Sequence, residues 1–275
     1  MNRKLLMILF YIALTSLTCS KNSTEPEDKS QAGWNLVWSD EFNYEGLPDS
    51  TKWSYDVGGS GWGNHELQYY TNARKDNAQV TDSVLIISAL KEDFQGKNYT
   101  SARLVSTNKG DWTYGRFEIK AWLPYGRGTW PALWMLPTQW TYGDGGWPDN
   151  GEIDIMEHVG YDQGIIHAST HTRTYYWVTN TQKTATIRIP TCSSAFHVYA
   201  MEWYPDSINM FVDNIKYFTF KRESDDYKVW PFNKDFHFIF NIAVGGDWGG
   251  QQGVDDFIFP QRMFIDYVRV YKWQE

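Results

Sequence analysis

Three carboxylates fall within the short apolar run Glu152-Ile153-Asp154-Ile155-Met156-Glu157. Asn150-Gly151 stands before it, and the run reads as a strand over Glu152–His158. Strand side chains alternate faces, so Glu152 and Asp154 share a face while Glu157 should point to the other. One extra residue at Ile155-Met156, a β-bulge, returns Glu157 to the face of the first two, and bulges are common beside active sites. Three aligned carboxylates repel one another, so some must hold a proton at neutral pH. A retaining glycosidase needs such a pair about 5 to 5.5 Å apart, one acid attacking the anomeric carbon and one protonating the leaving oxygen. Inward-facing strand neighbours repeat every ~6.5 to 7 Å, so two glutamates across a bulge can meet that separation with Asp154 between them. A metal site drawn from Glu152, Asp154, Glu157, His158, His167 and His171 is the competing chemistry, and a solvated row of ordinary acids is the plain one.

Composition sharpens the choice. The 275 residues carry 25 basic and 33 acidic side chains, a net charge of −8, which disfavours nucleic acid as a partner. A hydrophobic share of 42% suits a folded chain rather than a disordered one. Fifteen tryptophans and 18 tyrosines exceed what one core uses. Flat aromatic faces stack on sugar rings and acidic or amide groups accept hydroxyl hydrogen bonds, so the balance points to saccharide partners.

The elements that must position these acids are strands. After residue 34 no segment keeps a helical apolar period over three turns, whereas short β-branched and aromatic runs recur between Gly, Asn, Asp and Pro. Strands are expected at 84–90, 115–123, 152–158, 165–172, 196–203, 208–212, 216–220, 236–244 and 265–272, with Asp213-Asn214 turning one hairpin. In 115–123 Phe117, Ile119, Ala121 and Leu123 alternate with Arg116, Glu118, Lys120 and Trp122, one face buried and one wet. Many strands without crossover helices give an all-β fold, an antiparallel sandwich of jelly-roll type. With no repeat and no second linker, one domain spans 34–275.

Met1 to Thr18 reads as a secretory signal, with Arg3 and Lys4 before an apolar stretch too short to span a bilayer. Export is therefore expected, either as a secreted or periplasmic protein or as a lipoprotein at the outer membrane or cell surface. Cys19 follows directly, where a bacterial lipoprotein is cleaved and acylated. Residues 19–33 form a polar tether. If Cys19 carries lipid, Cys192 has no disulfide partner.

The chain resembles glycoside hydrolase family sixteen, in particular its bacterial laminarinases. The resemblance is carried by Trp38-Ser39-Asp40-Glu41-Phe42, GWGNHELQYYT from Gly61, YTSAR from Tyr99, WTYGRFE from Trp112, GTWPALWMLP from Gly128, GEIDIMEHVG from Gly151, FHVYAMEW from Phe196, NIAVGGDWGG from Asn241 and the closing FPQRMFIDYVRVY. It implies a bent jelly roll with a cleft, and retaining cleavage of internal β-1,3 bonds in laminarin-like β-glucan. Glu152 matches the nucleophile, Glu157 the general acid/base and Asp154 the carboxylate between them. The longer E-x-D-x-x-E spacing matches the laminarinase branch rather than the lichenases.

The same resemblance places Asn64, Glu66, Arg103, Trp130, Trp134, His171 and Trp248 in the cleft. Trp112 and Trp147 are weaker candidates that loop packing would equally explain, and Trp38, Trp53 and Trp203 read as core. The resemblance implies no cofactor for catalysis and a structural calcium ion held by main-chain carbonyls of Glu41 and Ser83 and the Asp266 carboxylate, an all-oxygen shell. A monomer is expected. Mixed-linkage glucan and algal galactans are the rival substrates, and a non-catalytic glucan-binding surface protein is the rival class.

Overall fold

The computed structural model describes residues 33–274. The expected signal segment, Cys19 and nearly all of the tether lie outside the described residues. Within them every regular element is a strand except two short 3-10 turns, Trp177–Thr179 and Asp256–Ile258. The strands form two sheets. The first runs in the order Ile215–Lys221, Ser207–Val212, His197–Tyr204, Gly115–Trp122, Gln261–Trp273, Val84–Phe94, Lys97–Ser101, Gln68–Tyr70, with Trp34–Asp40 and Ala78–Thr81 paired at its side. The second runs Lys183–Arg188, Ile165–His171, Glu152–Glu157, Thr129–Pro137, Phe236–Val244, Arg103–Val105, Ser54–Tyr55, with Asp111–Trp112 against Phe236–Val244. Every pairing is antiparallel except Gln68–Tyr70 with Lys97–Ser101. This is the expected all-β sandwich.

The core lies between the sheets, and the period of two decides which residues enter it. In Phe236–Val244 all nine positions are buried. Phe236, Phe238, Phe240, Ile242 and Val244 join the core cluster with Phe117, Ile119, Ala121, Leu133, Met135 and Ile153, while Asn241 and Ala243 on the other face line a cleft. Trp53 and Trp203 are core as expected, and Trp38 is half-buried against Trp53 and Trp112. Asp213 and Asn214 both take positive φ, as a two-residue hairpin turn requires.

Two expectations are corrected. Arg116, placed on the wet face by alternation, is only 3% exposed, because its guanidinium is pinned by Glu118 and Glu202, each at 2.7 Å. The strand Thr129–Pro137 was not among those expected, since Pro131 and Pro137 argue against a central strand. It is tolerated because pairing with Glu152–Glu157 spans only Ala132 to Met135, and Pro131 contributes its carbonyl, which accepts from the His158 N–H at 3.2 Å.

Candidate active site

The bulge is where the sequence puts it. Glu152 pairs with His171, Asp154 with Ser169 and Glu157 with His167, so between the last two pairs Ile155 and Met156 on the acidic strand are matched by Ala168 alone on its neighbour. On the other side Trp134 pairs with Asp154 and Leu133 with Met156, which leaves Ile155 extra. Ile155 and Met156 are both buried. The partners of the three acids, His171, Ser169 and His167, are themselves alternate residues, so Glu152, Asp154 and Glu157 share one face. The backbone span from Glu152 to Glu157 is two strand repeats, about 13 Å. The two glutamates must therefore lean toward Asp154 to act on one bond, a longer reach than a single repeat implies.

Around the acids lies a cleft of about 350 Å³, lined on one side of the acidic strand by Asn64, Glu66, Arg103, Trp130 and Trp134. Trp130 donates its indole N–H to Glu157 Oε1 at 3.0 Å, and Trp147 donates to Glu152 Oε2 at 2.8 Å. Each outer acid thus receives one indole donor. His171 Nε2 stands 3.2 Å from Asp154 Oδ2 and 3.8 Å from Glu152 Oε1. Trp134 donates to Asn241 Oδ1 at 2.8 Å. The Arg103 guanidinium sits between the rings of Trp62 and Trp134, 4.7 and 4.8 Å from their centroids, and its Nε donates to Asp56. Glu66 accepts from Asn64, Gln68 and Tyr70, so it is a fixed acceptor in the floor. Trp248 packs at 5.4 Å from Trp130 and 4.8 Å from His167, on the Glu157 side.

Electrostatics separate the acids. Burial raises Glu152 to about 8, with the Asp154 charge adding to it and His171 and the Trp147 hydrogen bond opposing it. Burial also raises Asp154. Glu157 is pushed well above the usual range, by burial first and then by repulsion from Asp154 and Glu152. His171 and one indole donor oppose the rise at both glutamates, Trp147 at Glu152 and Trp130 at Glu157, but Glu157 is repelled by two carboxylates and Glu152 by one, so the proton is held more tightly at Glu157. Two carboxyls whose surroundings drive them apart are how one site keeps an acid beside a nucleophile.

Trp147, one of the weaker candidates, proves to be a contact of Glu152, while Trp112 is a core residue packed on Phe117 and Phe238. Trp147→Phe is expected to lower kcat and to move the acidic limb of the pH–rate profile upward. Removing the N–H withdraws a stabiliser of the Glu152 anion, so more base is needed to ionise it. Rates across pH with the fold checked by circular dichroism test this.

Trp62, Trp140, Trp177 and Asn241 also line the cleft and were not singled out. Trp62 and Asn241 lie inside quoted motifs. Trp140 sits on a loop and Trp177 opens the short 3-10 turn Trp177–Thr179, neither with a periodic signal.

The six-residue metal set does not assemble. Glu152, Asp154 and His171 converge within 4.8 Å, whereas fully buried His158 accepts from the Gly164 N–H, its ring pushed down to about 4 by burial. His167 packs against Trp248. At the expected calcium position the Asp266 carboxylate is already paired with Lys120 at 2.5 Å and Glu41 is held by Arg269 through two hydrogen bonds. A cation on Asp266 would have to displace that ammonium, whereas the main-chain carbonyls expected of Glu41 and Ser83 do not depend on these side-chain pairs.

A two-sheet sandwich with a tryptophan-lined cleft and two glutamates on one strand face, both raised by burial and Glu157 the further of the two, defines a glycoside hydrolase of the β-sandwich class. Comparison with known families agrees. The family model "Glycosyl hydrolases family 16" matches residues 65–269, and the chain belongs to that family. It is 54% identical over 278 residues to a beta-glucanase of Rhodothermus marinus, covering 99% of this chain and 97% of that protein. It is 36% identical to a glucan endo-1,3-beta-glucosidase of Cryptopygus antarcticus, over 89% of this chain and 94% of that protein. Among solved structures it resembles the laminarinase from Rhodothermus marinus, with a TM-score of 0.87 and 58% identity over 88% of this chain and 98% of that one.

Proposed function

We propose that this chain is an endo-acting β-1,3-glucanase that cleaves laminarin-like glucan with retention of configuration. The observation that carries the reading is the bulge register, which turns Glu152, Asp154 and Glu157 to one face inside an indole-lined cleft. In the first step the Glu152 carboxylate attacks the anomeric carbon. The bond to the leaving oxygen breaks, and that oxygen takes the proton of Glu157. Glu152 is then a neutral ester, so the repulsion that raised Glu157 falls and its carboxylate becomes the base. Water gives Glu157 a proton and attacks the same carbon, the ester bond breaks, and Glu152 leaves as the carboxylate. Asp154, buried between them beside His171, sets the charge that both glutamates feel. Trp130 and Trp134 are spaced by four on Thr129–Pro137 and share the cleft face, a wall on which sugar rings stack.

A reducing-end assay on laminarin, lichenan, agarose and carrageenan tests the substrate. Laminarin is expected to be hydrolysed fastest, with early products of mixed length. Faster release from lichenan would reassign the enzyme to mixed-linkage glucan, and binding without release would make it a capture protein. NMR of the first products should show the β-anomer. Calcium is a separate proposal: a rise in Tm on calcium addition, reversed by chelator, supports a structural ion at Glu41, Ser83 and Asp266, and an unchanged Tm rejects it.

A further inference from the structure

A second concave site lies away from the acidic strand, at one end of the other sheet. The strand ends at Trp34, Gly115, Tyr204 and Trp273 converge there: Trp34 pairs with Trp273, and Trp203 with Gly115. They line an open surface pocket of about 510 Å³ whose lining includes Trp34, Tyr114, Trp203, Tyr204, Lys272 and Trp273. That volume is within the range of small-ligand sites.

The chemistry of the lining is selective. It contains no Leu, Ile, Val, Met or Phe, so it lacks the aliphatic surface an acyl chain or an apolar helix would need. It offers aromatic rings beside polar groups, the same combination as the catalytic cleft. Trp273 is 56% exposed although Trp34 packs edge-on against it at 5.2 Å, so one indole is both held and open. Lys272 Nζ donates to the carbonyls of Thr113 at 2.6 Å and Tyr114 at 2.8 Å, which uses two of its three donors. These bonds fix an ammonium at the pocket wall with a donor in reserve.

The geometry points to a non-catalytic saccharide-binding site, in which a glucosyl unit of the β-glucan polymer stacks on Trp273 and accepts a hydrogen bond from Lys272. The inference rests on the reading that the enzyme acts on β-1,3-glucan. A polymer is the ligand that profits from two sites, since holding it on one sheet raises its effective concentration at the cleft on the other.

The test uses the full mature chain made catalytically silent by Glu152→Gln, with laminarin as the probe. Migration in native gels containing laminarin should show affinity about five- to tenfold weaker for added Trp273→Leu, the scale of one lost ring-face contact, and nearly unchanged for Trp273→Tyr. In the active chain Trp273→Leu should leave kcat/KM on short laminari-oligosaccharides unaltered while raising KM for the polymer. A folded Trp273→Leu that is retarded as strongly as its parent overturns the site. Oxidation of exposed indoles by N-bromosuccinimide, mapped by mass spectrometry on the silent chain, needs no substitution in the pocket. Laminarin should protect Trp273, and oxidation undiminished by laminarin rejects the site. So does protection already complete without glucan, which would mean that another part of the chain covers the pocket. If the active chain fails to cleave laminari-oligosaccharides while laminarin still protects Trp273, the activity reading fails and the pocket stands.

Discussion

Glu152→Ala is expected to lose turnover by at least about 10⁴-fold with the fold intact, the scale on which single members of a catalytic set act. The side chain is the nucleophile in this assignment: burial raises it to about 8, less than Glu157 is raised, and Trp147 and His171 both oppose that rise, so of the two glutamates it ionises first. Its removal opens space beside the anomeric carbon, and azide should enter it. Because azide then attacks from the face that Glu152 occupied, in one displacement, the product is the α-glycosyl azide. Glu157→Ala gives the opposite sign. There the ester on Glu152 still forms from substrates with good leaving groups, and azide displaces it from the other face to give the β-azide. NMR of the two products separates the roles. A β-azide from Glu152→Ala, or near-normal hydrolysis by either folded variant, overturns the assignment.

Much of this site is legible because strand chemistry is periodic. Alternation places Glu152 and Asp154 together, and the five-residue step to Glu157 has to be repaired by a bulge, which the two registers show at Ile155-Met156. The strand beside it hides for the opposite reason. Pro131 and Pro137 break the local pattern of Thr129–Pro137, yet nine consecutive pairings to Phe236–Val244 hold it in the sheet, so tertiary pairing overrides local preference. Arg116 looks solvent-facing by alternation because one of its two carboxylate partners, Glu202 on the next strand, meets it only after the sheet forms, while Glu118 lies two residues along its own strand. Trp140 and Trp177 leave no trace in the sequence beyond being tryptophan, since a loop or a short 3-10 turn puts side chains into a cleft without a period. The indole donors on Glu152 and Glu157 are pairings at separations of five and 27 residues that composition alone cannot supply.

Glu157→Gln should cost about 10² to 10⁴ in turnover, the usual worth of a general acid, and yet make the protein more stable at neutral pH. The sign follows from linkage. Burial and the charges of Asp154 and Glu152 raise the Glu157 carboxyl in the folded state, so the folded chain binds this proton more tightly than the unfolded chain does. Below the unfolded value, about 4.3, both states are protonated and no penalty exists. As pH rises above it, the unfolded chain releases the proton first, and stability falls by about 1.4 kcal/mol per pH unit for one such group until the folded value is reached. Glutamine keeps an oxygen for the Trp130 N–H at this position and carries no charge, so it removes the penalty. Tm at pH 7 should rise by about 2–4 °C for each kcal/mol recovered, and the gain should vanish toward pH 4. Asp154 and Glu152 are raised in the same direction, so the wild-type chain itself should lose stability between about pH 4 and pH 8. Thermal melts of both proteins across that interval check the claim. A Glu157→Gln variant whose gain grows toward acid pH would mean that the carboxyl is not held protonated, and the acid assigned to Glu157 would have to be sought elsewhere in the cleft.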